Sequence, residues 1–355
     1  QASLEAYEAE MARQRERARA GATFGALPIS EYFGGYPFYS GSLAPAQELI
    51  SFVNALPRTD FLGYDTLTAP AKILAMVVRG RRKMEVTEGD KVEIILDRSP
   101  CYAESGGQQG DTGSITGREG QAKIVDTVKH GTGLYVHRVE VTRGGLHEGE
   151  NVAVSVESPR RQGLRLHHTG THLLHAALRK VLGTHVTQAG SLVAPDHLRF
   201  DVTHPSQIRD LELEQVEEMV NEKVRDNLRV DPIQTALEQA LKMGALALFG
   251  EKYGQRVRVI KIGDFSTELC GGTHLDQTGQ IGLFKVVSEG AVAAGVRRLT
   301  AVTGDAALHY VGREESALRE AAAILKIPPL ELPRRLAKLL EEQRLLEKQL
   351  ESLEG

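Results

Sequence analysis

Five short runs rich in β-branched residues lie between Phe61 and Glu157, and they restrict the possible fold more than any other feature. The runs are KILAMVV, KVEIIL, QAKIVDTV, GLYVHRVEV and NVAVSVE, separated by glycine, aspartate and asparagine. Short strands at this spacing are typical of a small barrel or sandwich, in which each strand buries one face. We therefore expect a small β-barrel over residues 61–157.

A long helix is predicted directly after the barrel, over ESPRRQGLRLHHTGTHLLHAALRKVLG. Ser158 suits the N-cap, Pro159 suits the first turn, and Gly183 follows the last apolar residue. Helices near 206–227 and 237–248 then separate five strand-like runs: GSLVAP, HLRFDV, RVRVIKIG, IGLFKVVSE and GVRRLTAVTG. This order predicts an α+β protein whose second domain, residues 158–305, is a two-layer α/β unit with a mostly antiparallel sheet.

The two ends of the chain have a different character. Residues 1–20 are charged and alanine-rich, which predicts the end of a helix, and residues 21–60 resemble a linker with a short helix near 46–56. Residues 306–355 are predicted to be helical. Leucines alternately four and three positions apart, with Gln343 in one place of the series, predict a coiled coil in a hairpin or a dimer: Leu332, Leu336, Leu339, Leu346, Leu350 and Leu353.

Composition excludes several classes of protein. Two cysteines, Cys101 and Cys270, are too few for a disulfide framework, so we expect a reducing, cytoplasmic location. No apolar stretch is long enough for a membrane span. A net charge of −4 argues against a wholly basic nucleic-acid coat, although it allows local basic patches.

Two pairs of residues have the spacing of metal ligands. His168 and His172 are four apart on the predicted helix and therefore share one face. Cys270 and His274 are four apart on a glycine-rich segment that can bend around an ion. Zn²⁺ accepts this mixture of sulfur and nitrogen ligands, so the two pairs together predict one zinc site.

The other two histidines of the helix receive different interpretations. His175 lies near the same stripe and is expected behind the ligands, as a buried or supporting histidine. His167 points away and is expected at the surface, in solvent or facing phosphate. The spacing also occurs in zinc peptidases, but those need a glutamate where this chain has Thr169. No acidic residue beside the four ligands is singled out as a general base.

Structural and functional roles for the zinc both remain open at this point. Four protein ligands would close the coordination shell, which favours a structural role. Gly170, a glycine in mid-helix, indicates that another group approaches the helix closely, although simple helix packing would explain it too. Polar groups at Thr169, Thr171 and Gln188 favour a cleft there. The glycine-rich ESGGQQGDTG lacks the lysine of a nucleotide-binding loop, and we expect it to border such a cleft without doing chemistry.

Three separated motifs resemble, in their order along the chain, those of alanyl-tRNA synthetases and related class II editing domains: YAESGGQQGDTG, HTGTHLL and CGGTH. FLGYDTL and GVRRLTAVTG fit as well. The chain departs from the pattern at Gly170, where alanine is commoner, at Cys101, where an aromatic residue is usual, and over 21–60. The resemblance implies a fragment in which 1–20 ends the tRNA-recognition helices and 306–355 leads to a missing C-terminal domain.

The resemblance also implies an activity. Members of the family remove serine and glycine wrongly attached to tRNA(Ala), and the absence of ATP-binding motifs implies that this chain does not charge tRNA. A pocket shaped for alanine separates such small residues by only about 1–3 kcal/mol, so a second hydrolytic site is needed. The implied partners are the tRNA(Ala) acceptor end and the rest of the synthetase, with a possible homodimer through the C-terminal helices.

The resemblance assigns residues to this activity. It implies Zn²⁺ on His168, His172, Cys270 and His274, with Gln188 in the pocket. Thr171 is expected to recognise the serine hydroxyl, with Thr169 as its rival, and we favour zinc as an organiser of the site. Basic residues near the motifs are expected to contact tRNA: Arg160, Arg161, Arg165, Arg297 and Arg298, with Lys252, Arg256, Arg258 and Lys261 nearby.

Three alternatives remain open. The chain could be a free-standing protein that edits in trans, or a threonyl-type editing domain with similar metal motifs. It could also be a zinc-stabilised tRNA-binding or dimerisation module without enzymatic activity.

Overall fold

The computed structural model describes residues 47–130, 133–247 and 254–354. The predicted helix over 1–20, most of the predicted linker and Lys252 lie outside the described residues. The first described element is helix α1 (Gln47–Ala55), which agrees with the short helix expected near 46–56. Its buried residues, Leu49 and Val53, pack on the outside of the β-structure that follows.

A closed barrel follows helix α1. Its part of the chain contains eleven strands: β1 (Asp60–Phe61), β2 (Thr68–Val78), β3 (Arg81–Arg82), β4 (Glu85–Thr87), β5 (Lys91–Leu96), β6 (Arg98–Ser99), β7 (Gly113–Thr116), β8 (Gln121–His130), β9 (Leu134–Arg143), β10 (Gly145–His147) and β11 (Asn151–Val156). Six of them pair antiparallel in the order β11-β7-β8-β9-β5-β2, and β2 pairs back to β11. This closure leaves no free edge among the six and confirms a barrel rather than a sandwich.

Every second side chain of a barrel strand points inward, and these side chains fill the barrel interior. In strand β2, Ala69, Ala71 and Ile73 are buried and the residues between them are exposed, as the two-residue period of a strand requires. Ala71 and Ile73 meet Ile94 and Ile124 from other strands in one apolar cluster. The five β-branched runs of the sequence therefore lie in five of the six barrel strands, and the short strand β7 was not among them.

Helix α2 (Ser158–Leu182) leaves the barrel and crosses into the second part of the molecule. Ser158 was expected to be the N-cap, and this expectation was wrong. Glu157 occupies the N-cap with an extended backbone, and its carboxylate instead accepts a hydrogen bond from Thr112. Gly183 ends the helix at a φ of 115°, a conformation that favours glycine.

The second part holds two sheets. Its strands are β12 (Gln188–Val193), β13 (Leu198–Thr203), β14 (Val230–Ala236), β15 (Arg256–Ile262), β16 (Ser266–Leu269), β17 (Phe284–Ala293) and β18 (Val296–Thr303). All pairings between them are antiparallel, in the orders β12-β13-β18-β17 and β14-β15-β16. The predicted antiparallel pairing is thus observed, but the single expected sheet is divided in two.

Helices cover these sheets. Helix α3 (Asp210–Arg225) packs against helix α2, and the short helix α4 (Leu237–Lys242) follows strand β14. A common apolar core joins helices α2 and α3 to the strands, with Leu174, Val220 and Phe200 among its fully buried members. This core holds helix α2 in place, so the buried part of that helix is a fixed platform for side chains.

Two helices close the described chain, α5 (Gly304–Ile324) and α6 (Leu332–Glu354), with a 3₁₀ turn at Pro329–Glu331 between them. The helical prediction for this segment is correct. The coiled coil is not confirmed, because Leu336, Leu346 and Leu350 are each about half exposed or more. Across the described residues, none of the helices combines the length and apolar character needed to cross a membrane.

Candidate metal centre

Four side chains from two distant segments meet beside helix α2. His168 and His172 lie one helical turn apart on its buried face, and Cys270 and His274 lie on the turn after strand β16. One potential ligand atom from each lies within 4.8 Å of all the others. The Cys270 Sγ is 3.4 Å from His168 Nε2 and 3.3 Å from His274 Nε2. One sulfur and three imidazole nitrogens fit the ligand preference of Zn²⁺.

The turn can approach the helix so closely because residue 272 is a glycine. A Cβ added to Gly272 would lie 2.0 Å from His168 Cε1 and 2.3 Å from its Nδ1. The backbone N–H of Gly272 also donates to Cys270 Sγ at 3.3 Å. By contrast, the nearest atom to a Cβ on Gly271 is the Tyr64 hydroxyl at 4.0 Å. Of Gly271 and Gly272, only Gly272 must be a glycine for the turn to lie this close to His168.

Each of the three histidines turns its Nδ1 toward a polar partner and away from the cluster. His168 Nδ1 is 2.7 Å from Gln108 Oε1, on the glycine-rich loop of the barrel. His172 Nδ1 is 3.2 Å from Glu268 Oε2, and His274 Nδ1 is 3.3 Å from Thr169 Oγ1. Hydrogen-bonding contacts at Nδ1 orient His168 and His274, and the ion-pair contact with Glu268 orients His172, so Nε2 is left as the candidate ligand atom of each ring.

Sequence reasoning missed Glu268 and Gln108. Glu268 has a detectable signal, because it lies two residues before Cys270 at the end of a strand and therefore points to the same side. The sequence pattern had indicated no acidic residue beside the ligands as a general base. Gln108 has no local signal beyond its glycine-rich loop, which had been expected to border the site without a specific role.

Electrostatics favour an ionised cysteine. Burial alone raises the pKa of Cys270, but His168 and His274 outweigh burial and hold its pKa well below the usual value. Burial lowers the pKa of His172, and the Glu268 carboxylate overcomes this and raises it to about 10. Both pKa shifts favour charged forms, a thiolate at Cys270 and an imidazolium at His172, and a bound metal ion would compete with the imidazolium proton.

The two remaining histidines of helix α2 are both buried. His175 Nδ1 is 3.1 Å from Glu268 Oε1, so it lies behind the ligands as expected. His167 was expected at the surface, and this expectation was wrong. Its Nδ1 contacts the Gly163 carbonyl at 2.8 Å, its Nε2 accepts the Thr303 N–H at 3.2 Å, and burial lowers its pKa to about 4. The helix also packs against the sheet on that side, which the histidine spacing could not reveal.

The three polar residues expected near the site have different surroundings. Thr169 is fully buried, and its hydroxyl accepts the Leu275 N–H at 3.1 Å besides contacting His274. Thr171 donates to the His167 carbonyl at 2.8 Å, which leaves its oxygen free to accept. Gln188 begins strand β12 opposite Val202 and is half-buried. Among the described residues, no hydrogen bond links Gln188 to the four clustered side chains.

Arg161 was expected to contact tRNA, and the structure contradicts this. Its side chain is buried, forms an ion pair with the fully buried Asp111, and donates to the carbonyls of Gly63 and Pro100. A side chain that satisfies buried barrel groups in this way is not available to a phosphate.

The other four predicted arginines keep some exposure but already have protein partners. Arg160 donates to Gln109, Arg165 to Asp276, Arg297 to Glu289 and Arg298 to Asp201. Arg298 makes two contacts of 2.7 Å with its aspartate. The carboxylates of Asp276, Glu289 and Asp201 offset part of the positive charge that was expected to face tRNA.

A cleft of about 350 Å³ opens beside His274, between the barrel entrance and strands β14 and β15. Tyr64, Arg165 and Arg258 line it. The Tyr64 hydroxyl donates to the Gly271 carbonyl at 2.5 Å, while the Arg258 guanidinium lies 4.1 Å above the Tyr64 ring and donates to the Gly272 carbonyl at 2.7 Å. The cleft therefore borders the same turn that carries the metal ligands.

Comparison with known proteins gives matches to two families. Residues 3–160 match the family described as tRNA synthetases class II (A). Residues 257–300, which include Cys270 and His274, match the family described as threonyl and alanyl tRNA synthetase second additional domain.

Curated relatives point to the same family. The chain is 44% identical to the alanine–tRNA ligase of Desulforamulus reducens and 45% identical to that of Rhizobium meliloti, over 99% and 98% of its length. It is 47% identical to that of Acetivibrio thermocellus over 86% of its length. The chain spans 35–38% of the length of these relatives. Because it matches these relatives at 44–47% identity over 86–99% of its length, the chain belongs to the alanyl-tRNA synthetase family.

Proposed function

We propose that this chain hydrolyses seryl- and glycyl-tRNA(Ala), and so removes amino acids wrongly attached by the synthetase. The observation that supports this best is the cluster of His168, His172, Cys270 and His274, two of which lie in the segment matching the second additional domain. A binding pocket for alanine discriminates poorly against residues so similar in size, and a separate hydrolytic site corrects its errors.

Zn²⁺ is the metal that these four residues would hold. When bound there, it would supply a Lewis acid, which can coordinate a neutral amino group or the terminal ribose, or polarise the ester carbonyl, only through an open coordination position. Four protein ligands would complete a tetrahedral shell and leave no such position, so we favour zinc as an organiser that holds the turn carrying Cys270 and His274 against helix α2. Cys270 is then a ligand, and Glu268 orients His172 and His175 rather than serving as the base, since its two oxygens face these rings.

We assign recognition of the serine hydroxyl to Thr171. Its hydroxyl donates a hydrogen bond to the His167 carbonyl, and its oxygen can still accept a hydrogen bond from a substrate hydroxyl. Thr169 supports His274 and the Leu275 N–H, so its role is to position the metal-binding turn. Thr171→Val should reduce deacylation of seryl-tRNA and spare glycyl-tRNA, whereas Thr169→Val should reduce both.

The cleft beside His274 is our proposed route for the acceptor end of tRNA(Ala). Arg165 and Arg258 offer positive charge there, with the Arg258 guanidinium stacked on the Tyr64 ring. Arg160, Arg297 and Arg298 would extend the contact, and the Arg298 side chain is more exposed than those of Arg165 and Arg297. Phosphate contacts of this kind weaken as salt concentration rises.

Release of radiolabelled serine and glycine from mischarged tRNA(Ala) tests the proposal. The wild-type chain should deacylate both and leave alanyl-tRNA(Ala) largely intact. Cys270→Ala should lose activity through loss of the metal, and Gln188→His tests our placement of Gln188 in the pocket. Normal activity in both variants would contradict these site assignments.

The closed ligand set also favours a second candidate function, a zinc-stabilised module that binds tRNA without hydrolysing it. A wild-type chain that holds one zinc ion and binds tRNA(Ala), yet releases neither serine nor glycine, would support this candidate instead.

A further inference from the structure

We propose that Gln108, a residue of the barrel, is a positioning residue that selects which nitrogen of His168 faces the metal site. This inference rests on the metal site of the proposed function and adds a residue to it from outside the four-ligand set. Gln108 lies on the glycine-rich loop between strands β6 and β7, and its side chain is fully buried.

A backbone group determines the orientation of the Gln108 amide. The Thr273 N–H, which can only donate, lies 2.9 Å from Gln108 Oε1. The Gln108 NH₂ group donates to Thr273 Oγ1 at 2.9 Å. Rotating the amide by 180° would place its NH₂ group against the Thr273 N–H, two donors facing each other in a buried site. Such an arrangement is costly, so Oε1 must face the Thr273 N–H.

The orientation of the amide then determines the tautomer of His168. The same Oε1 lies 2.7 Å from His168 Nδ1, and an amide oxygen can only accept. His168 must therefore carry its proton on Nδ1. When the ring is neutral, its lone pair then lies on Nε2, which is the nitrogen 3.4 Å from Cys270 Sγ. One backbone N–H thus dictates, through Gln108, which His168 nitrogen is ready to bind a metal ion.

The loop that carries Gln108 is attached to both parts of the molecule. The Val193 N–H donates to the Gly107 carbonyl at 2.7 Å, and the Gln109 N–H donates to the Val193 carbonyl at 3.0 Å. These bonds join the loop to strand β12. The metal site is therefore completed by the barrel, although all four ligands lie outside it.

Imidazole ¹⁵N NMR of the histidine-labelled chain tests the inference. In the wild type without metal, His168 should carry a proton on Nδ1, and its neutral ring should be the Nδ1–H tautomer. Gln108→Met, of similar size but without an amide, should lose this preference and weaken zinc binding about 10- to 100-fold in competition with a chelator. Gln108→Glu should restore both, because one oxygen can accept from His168 and Thr273 N–H and the other from the Thr273 hydroxyl.

Gln109→Met is the matched control. Gln109 is the next residue of the loop, and its side chain accepts from Arg160 rather than touching the cluster. It should keep the wild-type tautomer and zinc affinity. If Gln108→Met folds poorly, the Glu variant compared with the wild type still tests the inference, since it must retain the Nδ1–H tautomer.

The possible failures can be separated. A wild-type chain that binds no zinc would contradict the metal site of the proposed function, while the metal-free tautomer would still decide the role of Gln108. An unchanged tautomer and zinc affinity in Gln108→Met, or an Nε2–H tautomer in the wild type, would overturn the inference.

Discussion

Arg161 of helix α2 and Asp111 of the barrel loop form an ion pair in which both side chains are buried. The Arg161 Nε lies 3.1 Å and 3.0 Å from the two carboxylate oxygens. The two terminal nitrogens of the guanidinium donate to the Gly63 and Pro100 carbonyls. This pair therefore ties the beginning of the long helix to the barrel entrance and satisfies backbone groups there.

Removing the Arg161 guanidinium should destabilise the chain. Arg161→Met leaves the Asp111 carboxylate buried without its partner, a change that costs about 3–5 kcal/mol. Urea unfolding followed by circular dichroism measures the difference. The control is Arg160→Met on the same turn, which should cost below about 1 kcal/mol because Arg160 is partly exposed. Equal stability of the two variants would contradict the structural role of Arg161.

A methyl group at Gly272 should disrupt the metal site. In Gly272→Ala, the new Cβ would collide with the His168 ring at 2.0 Å, so the turn must move away from the helix. We expect zinc content to fall to a small fraction of the wild-type value, as measured by mass spectrometry of the metal. Gly271→Ala is the matched control, since its Cβ has 4.0 Å of space. Loss of zinc in both variants would argue against this local clash.

Zinc should stabilise the chain through the four ligands. We expect one zinc ion per chain, and removal by a chelator should lower the melting temperature because the metal binds only the folded state. Cys270→Ser and His172→Ala should show no such metal-dependent shift. His185→Ala, in an exposed histidine pair away from the cluster, should behave like the wild type. A metal-dependent shift that survives in Cys270→Ser would place the zinc elsewhere.

Acid should weaken the barrel through His137. This buried imidazole contacts Ser99 Oγ at 2.7 Å and the Ile94 carbonyl at 3.2 Å, and burial lowers its pKa from 6.5 to about 4. As the pH falls, the unfolded chain therefore binds a proton at this histidine before the folded chain does. The contribution of neutral His137 to the free energy of unfolding is complete above about pH 6.5 and is lost as the pH falls toward 4. About 3 kcal/mol should disappear over this interval.

Urea unfolding at several pH values, compared with His137→Gln, measures this contribution. The variant should be less stable at neutral pH but should lose less stability on acidification. An NMR titration in which His137 protonates near its ordinary pKa in the folded chain would contradict the prediction.

Local patterns in the sequence predicted most of the strands and helices and the four candidate metal ligands. A two-residue alternation is a property of neighbouring residues in a strand, so five of the six barrel strands could be recognised from their β-branched runs, whereas the four-residue strand β7 was missed. Ligand pairs four apart on a helix or a glycine-bent turn are equally local. For this reason the sequence alone pairs His168 with His172 and Cys270 with His274. The spacing of leucines likewise predicted a helix at the C-terminal end.

Only the tertiary structure decided the surroundings of these residues. Gln108 meets His168 across sixty positions, and Glu268 meets His172 across ninety-six, because the barrel and a sheet edge both pack against helix α2. The same packing buries Arg161 and His167, which the sequence had placed at the surface. Spacing determines which side chains share one element. Burial, tautomer and ion pairing depend on what packs against that element, and so they follow from contacts between distant parts of the chain.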